Sequence, residues 1–290
     1  MPAEGDGGLE RFIGKYWPVF VLPTLLAFAI GFLAPFVMGL YLSFCDFTTL
    51  SDATFTGIDN YIRAFSDVSG GFLHSLWYTT LFAILSTAVI NVFGLSMALL
   101  LTRPLRGRDI FRTVLFLPNL IGGIVLGWLW QVIFNGLLNP YGVTIVTSEW
   151  YGFWGLLLII LWQQAGYMMI IYISGLTTIP EELSEAAGID GASAWQTFWH
   201  VKLPMLMPSI TICTFLTLTN GFKLFDQNLA LTNGMPSGRS EMLALNIYNT
   251  FYGRSGWEGA GQAKAVVFCL IVVGIALLQL RLTQQREVDA

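Results

Sequence analysis

Six stretches of this 290-residue chain stay apolar for about 20 residues or more, the helix length that crosses a hydrocarbon layer about 30 Å thick. They fall at roughly 17–43, 73–102, 113–134, 154–177, 203–225 and 262–281. One soluble core cannot hide six such stretches, and the chain lacks the charge to cover them. Only 11% of its residues are charged, against about 25% in soluble domains. In lipid each spanning segment must satisfy its own backbone groups, which leaves helices as the form for runs of this length. The expectation is an all-α integral membrane protein with six transmembrane helices. Pro18, Pro23 and Pro35 in the first segment and Pro118 in the third predict bends, which membrane helices tolerate.

Basic residues set the orientation. Arg11, Lys15, Arg103, Arg106, Arg108, Arg112, Lys202, Arg281 and Arg286 fall on one side of the spans, and Arg63, Arg239 and Arg254 on the other. The richer side is read as cytoplasmic, which puts both termini there. The plan is then a cytoplasmic segment over 1–16, a transmembrane domain over 17–282 and a tail over 283–290. The first apolar run is long for a cleaved signal, and no small-residue cleavage site follows it, so it reads as a retained anchor. The implied location is a lipid bilayer, which is the main solvent for this chain.

Several chemistries are excluded. A net charge of −4 and the lack of a basic aromatic run argue against nucleic acid. Cys45, Cys213 and Cys269 lie far apart with no zinc spacing and read as apolar core residues. His74 and His200 have no metal-ligand partners in sequence, and the carboxylates form no catalytic constellation. Gly14-Lys15 lacks the glycines of a phosphate-binding loop. The chain is read as no enzyme, with no cofactor of its own.

The loop over 178–204 carries the most specific signal. Thr178 and Glu181 have capping-box spacing around Pro180, and Glu181 and Glu182 suit a helix start. Asp190-Gly191 breaks the run, and Ser193 with Gln196 repeats the capping spacing. Two short helices follow. The first presents Ala186, Ala187 and Gly188, small enough for another backbone to approach, beside the anionic Glu185. That suits a docking element; an interfacial helix resting on lipid through Trp195, Phe198 and Trp199 is the alternative.

The spacing of Glu185-Ala186-Ala187, Gly191, Val201 and Leu203-Pro204 resembles the signature loop of importer permeases of the ATP-binding-cassette superfamily, with Val201 where isoleucine is usual. Within it the chain is similar to the maltose-type carbohydrate permeases, from about residue 17 to 282. Supporting stretches are 55–61, 222–226, 231–236 and 247–248. The resemblance implies that Glu185, Ala186, Ala187 and Gly191 couple to an ATPase, with Glu185 the salt-bridge partner. It implies a homologous second permease, two nucleotide-binding subunits that hold ATP and Mg, and an extracytoplasmic solute-binding protein.

A sugar pocket needs hydroxyl-matched hydrogen bonds and an aromatic face. Polar residues inside apolar segments offer these: Gln163, Gln164 and Tyr167 in the fourth, Thr217, Asn220 and Lys223 in the fifth. The resemblance aligns Tyr167, Gln164, Thr217 and Gly221 with pocket positions, and Asn220 with a phenylalanine. The glutamines read equally as interhelical glue, Thr217 as a residue bonded back to its own helix, and Lys223 with Asp226 as an ion pair. Asn91 and Gln131 are further polar residues within spans. Other cargoes for the same machine would be a phosphorylated polyol or a polyamine, and an ion-coupled carrier is the reading from a different class.

Overall fold

Helices supply every long element, as lipid requires. The computed structural model describes residues 17–19, 21–67 and 71–284; the segment 1–16 with Arg11, Gly14 and Lys15, and Arg286 in the tail, lie outside the described residues. In chain order the helices are α1 Val21–Leu42, α2 Asp59–Ser66, α3 Phe72–Leu101, α4 Arg108–Phe116, α5 Gly123–Leu138, α6 Glu149–Thr177 and α7 Glu181–Ile189. Next come α8 Ala194–Met205, α9 Met207–Phe222, α10 Asp226–Leu231, α11 Leu243–Gly253 and α12 Glu258–Gln284. A two-residue hairpin pairs Cys45 with Phe55 and Asp46 with Thr54.

Four of these helices, α1, α3, α6 and α12, are each long and apolar enough to cross a membrane; two bent pairs bring the number to six if each pair is one span. The bend expected near Pro118 interrupts the span at 113–134, and a second, unpredicted bend interrupts 203–225. Arg108–Leu120 and Gly123–Tyr141 meet at 100°, and Ala194–Met205 and Met207–Phe222 at 71°. Pro118, in the turn that ends the first pair's leading helix, removes a donor where the chain changes direction. In α1 the predicted irregularity is a π-turn over Ala29–Leu33, just before Pro35.

Helix α6 is the central post, packed most extensively on α3, which also receives α9. Phe153 meets Tyr78 and Phe82 edge-on at 5.4 and 5.5 Å, the favoured aromatic geometry. Deeper in the bundle a polar knot ties the three helices together. The Tyr172 hydroxyl donates to Asn91 Oδ1 at 2.6 Å, and Asn91 Nδ2 donates to Thr217 Oγ1 at 2.9 Å. Thr217 also donates to the Cys213 carbonyl at 2.7 Å, the back-bond expected of it. Gly221 lets α9 come closer still: a Cβ there would sit 3.0 Å from Ala83 Cα.

Charge is sorted between the two ends. Arg103 and Lys202 line one cavity beside the 178–204 loop. At the opposite end Arg254 bonds Asp67 at 2.6 Å, Arg63 donates to the Gly256 carbonyl, and both guanidinium groups lie over the Trp257 ring. His74 contacts the Arg239 carbonyl there at 2.8 Å. Cys45 and Cys213 are buried and all three thiols are free.

Lys264 sits within α12 with no exposed surface. One charge in a long apolar run does not disclose from sequence which way it points. Its ammonium donates to Thr250 Oγ1 at 2.8 Å and Asn246 Oδ1 at 3.1 Å, and stands 5.4 Å from the Phe72 ring centre. Asn246 continues to Glu241 Oε2 at 2.8 Å, so the charge fastens α11 to α12. Lys264→Met keeps the packing but removes these donors. It should destabilise the folded protein by about 1–3 kcal/mol, read as a lowered thermal midpoint in detergent; an unchanged midpoint would show that the contacts contribute nothing.

Candidate substrate cavity and docking loop

The break between α4 and α5 frees backbone groups, and a side chain of α6 takes one of them up. Gln163 Nε2 donates to the Ile121 carbonyl at 3.0 Å, while Gln163 Oε1 accepts from Gln227 Nε2 at 2.8 Å. Gln131 Nε2 donates to the Leu231 carbonyl, at the end of the short α10, at 2.8 Å. The glutamine at 163 is thus glue, and the glue borders a hole.

That hole is a cavity of about 350 Å³ lined by Asn119, Gln163, Gln164, Tyr167, Asn220, Lys223, Asp226 and Gln227 with Leu224 and Phe225. It brings together five of the seven residues proposed for the solute route. The other two, Thr217 and Gly221, lie outside it in the α3–α9 contact described above. Gln164 and Tyr167 are neighbours at i, i+3 on one face of α6. The Gln164 amide oxygen is buried and has no partner among the described residues, an acceptor waiting for a donor. Tyr167 is half-buried beside the Phe116 ring, 6.4 Å between centres, which leaves a ring face for a C–H-rich ligand.

Lys223 and Asp226 do not form the expected ion pair: among the described residues neither has an oppositely charged group within salt-bridge distance. Lys223 closes α9 and Asp226 opens α10, so the chain turns between them and both carry their charge to the cavity wall. Sequence reading missed Asn119, Phe225 and Gln227 as lining residues; Pro118 was the local signal for the first, since the chain turns away directly after it. A second cavity, about 320 Å³ between α3, α4, α5 and α6, is lined by apolar groups such as Met97, Trp130 and Trp162. Beyond the indole N–H groups of its two tryptophans, its side chains offer little to match sugar hydroxyls.

At the far end of α6, α7 stands out from the bundle. The predicted capping box at Thr178 and Glu181 does not form. Thr178 instead donates to the Gly175 carbonyl at 2.8 Å, and the extended Pro180 becomes the residue that precedes the helix, two places later than the box requires. The second box does form, with Ser193 and Gln196 bonded reciprocally at 3.3 and 2.8 Å. Gly191 takes φ +83°, which only glycine adopts freely, to turn the chain between the two helices. Glu185 and Ala186 are exposed, Ala187 is half-buried, and nothing lies within 4 Å of a Cβ placed at Gly188. Ile189 is 87% exposed. The face has room for another protein and carries an apolar tip. Among the described residues no His, Cys, Asp and Glu cluster fit for a metal is present.

Gln163 and Gln164 therefore separate experimentally. Gln163→Leu strands the Ile121 carbonyl and should cost about 1–3 kcal/mol of stability, whereas Gln164→Leu removes an unmatched acceptor and should leave the thermal midpoint level or higher. Equal losses in the two variants would contradict this assignment.

A family model described as the binding-protein-dependent transport system inner membrane component matches residues 90–287. The probable starch degradation products transport system permease protein AmyD of Thermoanaerobacterium thermosulfurigenes is 43% identical over 284 residues, with 94% of this chain and 95% of its own covered. The multiple sugar-binding transport system permease protein MsmF of Streptococcus mutans is 30% identical, with 97% and 99% covered. Among solved structures, a bacterial ABC transporter involved in the import of the acidic polysaccharide alginate superposes with a TM-score of 0.81, covering 96% of this chain and 98% of its own at 20% identity. That last likeness is one of fold.

Proposed function

Because the chain belongs to the binding-protein-dependent transport system inner membrane components, we propose that it is the permease subunit of an ATP-driven importer of a sugar or oligosaccharide. The observation that carries the cargo is the cavity at the broken helix. An aromatic face at Tyr167, the unmatched Gln164 acceptor and the amides of Asn119 and Asn220 suit a neutral, hydroxyl-rich solute. A phosphorylated cargo would call for a cluster of cations, and Lys223 is the single one in the lining, opposite the acidic Asp226.

In this reading the basic end that holds Arg103, Arg106, Arg108, Arg112 and Lys202 faces the cytoplasm, together with both termini. The 178–204 loop then meets a nucleotide-binding subunit, with Glu185 as the anionic hook and Ala186, Ala187 and Gly191 permitting close approach. ATP and Mg belong to that pair of partner subunits. A homologous second permease completes the channel, and an extracytoplasmic binding protein delivers the solute to the end formed by α2, α11 and the 232–242 segment. Closure of the ATPases pulls α7, and α8 passes the displacement to α9 across the 71° break at Leu206. Because α9 ends at the cavity, the lever and the solute share one element.

Two variants test the reading. Glu185→Lys should abolish uptake and release or uncouple the ATPase while the chain still inserts normally; full uptake with normal co-purification would remove Glu185 from the contact. Tyr167→Ala should lower sugar uptake about tenfold in a complex that assembles normally, and uptake unchanged across a range of sugars would remove the ring from the site.

A further inference from the structure

Beside the polar cavity lies another of about 330 Å³, lined by Phe225, Tyr248, Phe251, Tyr252 and Gln262 with small aliphatic groups. Phe225 lines both cavities, so they adjoin across one ring. From Phe225 the aromatic contact continues to Tyr248 at 5.3 Å between centres, and from Tyr248 to Tyr252 at 4.9 Å. The tyrosines are i, i+4 neighbours on one face of α11, 43% and 72% exposed. Among the described residues no hydrogen bond engages either hydroxyl. The opposite face of α11 is held by Lys264 through Asn246 and Thr250. The tyrosines are thus presented on a fixed support.

We propose that Phe225, Tyr248 and Tyr252 form a second saccharide subsite, an aromatic track that carries the trailing units of an oligosaccharide while its leading unit occupies the polar cavity. This rests on the sugar-permease reading above and adds chain length to it. Flat rings stack on the C–H faces of successive sugar units without demanding one hydroxyl pattern. Free tyrosine hydroxyls and the Gln262 amide can follow the polar rims. Each cavity lies at the small end of the range for ligand sites, so a longer chain needs both. A disaccharide seated at Tyr167 would leave the track unused.

The test uses the assembled complex, with its second permease, ATPases and binding protein, in proteoliposomes. The probes are radiolabelled di- and pentasaccharides of α-1,4- and β-1,4-linked glucose. Wild-type transport of at least one pair is measured before any variant, and a complex that moves none of them brings down the sugar reading and this subsite with it. With that reading standing, the double variant Tyr248→Ala, Tyr252→Ala should raise the KM for the transported pentasaccharide about tenfold, the loss of one to two kcal/mol of ring contact. The disaccharide KM should change less than about twofold. The double Tyr→Phe variant, which keeps the rings, should recover most of the pentasaccharide transport. Equal loss at both lengths, no loss at either, or failure of the second permease to co-purify with the alanine variant would each overturn the proposal, the last by identifying the surface as a subunit contact.

Discussion

A hydrocarbon layer offers no water to a carbonyl that its own helix has released, and this one deficit organises the molecule. Where the chain breaks at residues 121–122, the freed Ile121 carbonyl is met by Gln163; where α10 stops, the Leu231 carbonyl is met by Gln131. Inside a bilayer a broken element is tolerated only against protein that supplies such donors. The donors bring polarity with them, and the polar cavity forms where that polarity gathers. Broken helices and a hydrophilic pocket in a lipid-embedded protein are two consequences of the same requirement.

The remaining architecture divides into a part that holds still and a part free to move. The knot of Tyr172, Asn91 and Thr217 fastens α3, α6 and α9 through hydrogen bonds of 2.6 and 2.9 Å. Such bonds contribute modestly inside a membrane, but they fix the register of three helices at once. Helix α7, by contrast, exposes Glu185, Ala186 and Ile189 and packs mainly on α8. An element with so few tertiary contacts can be displaced by a partner at little internal cost. The π-turn at Phe198–Lys202 and the bend at Leu206 lie between α7 and α9, on the route by which the proposed displacement would reach the cavity.

The spans were legible because hydropathy summed over about 20 residues is insensitive to local detail, and that same insensitivity hid the bends. A window over 113–134 registers an apolar run whether the chain runs straight or turns by 100° at residues 121–122. Pro118 flagged the place but not the angle. The Ser193–Gln196 cap was readable since both partners act within one turn. The Thr178–Glu181 cap was not, since Pro180 shifts the helix start and the end of α6 claims the Thr178 hydroxyl. Within the site, Gln164 and Tyr167 could be chosen from one helical face. Asn119 and Gln227 could not, because they reach the cavity only through turns that no periodicity describes. Lys264 was missed for a related reason: its partners lie on α11, 14 and 18 positions away.

On the proposed function, the adjacency of Gln163 and Gln164 separates cargo choice from folding. Successive helical residues point about 100° apart, so one amide serves the broken backbone while its neighbour serves the cavity. Tyr167 shares the face of Gln164, and Asn220 approaches from α9; none of the three carries a hydrogen bond on which the break depends. On the proposed function, exchanges at 164, 167 and 220 would reshape the pocket for a different sugar while Gln163 continues to satisfy Ile121. A scaffold built this way can serve many solutes with one backbone, because the side chains that satisfy the broken helix are not the ones left free to meet the cargo.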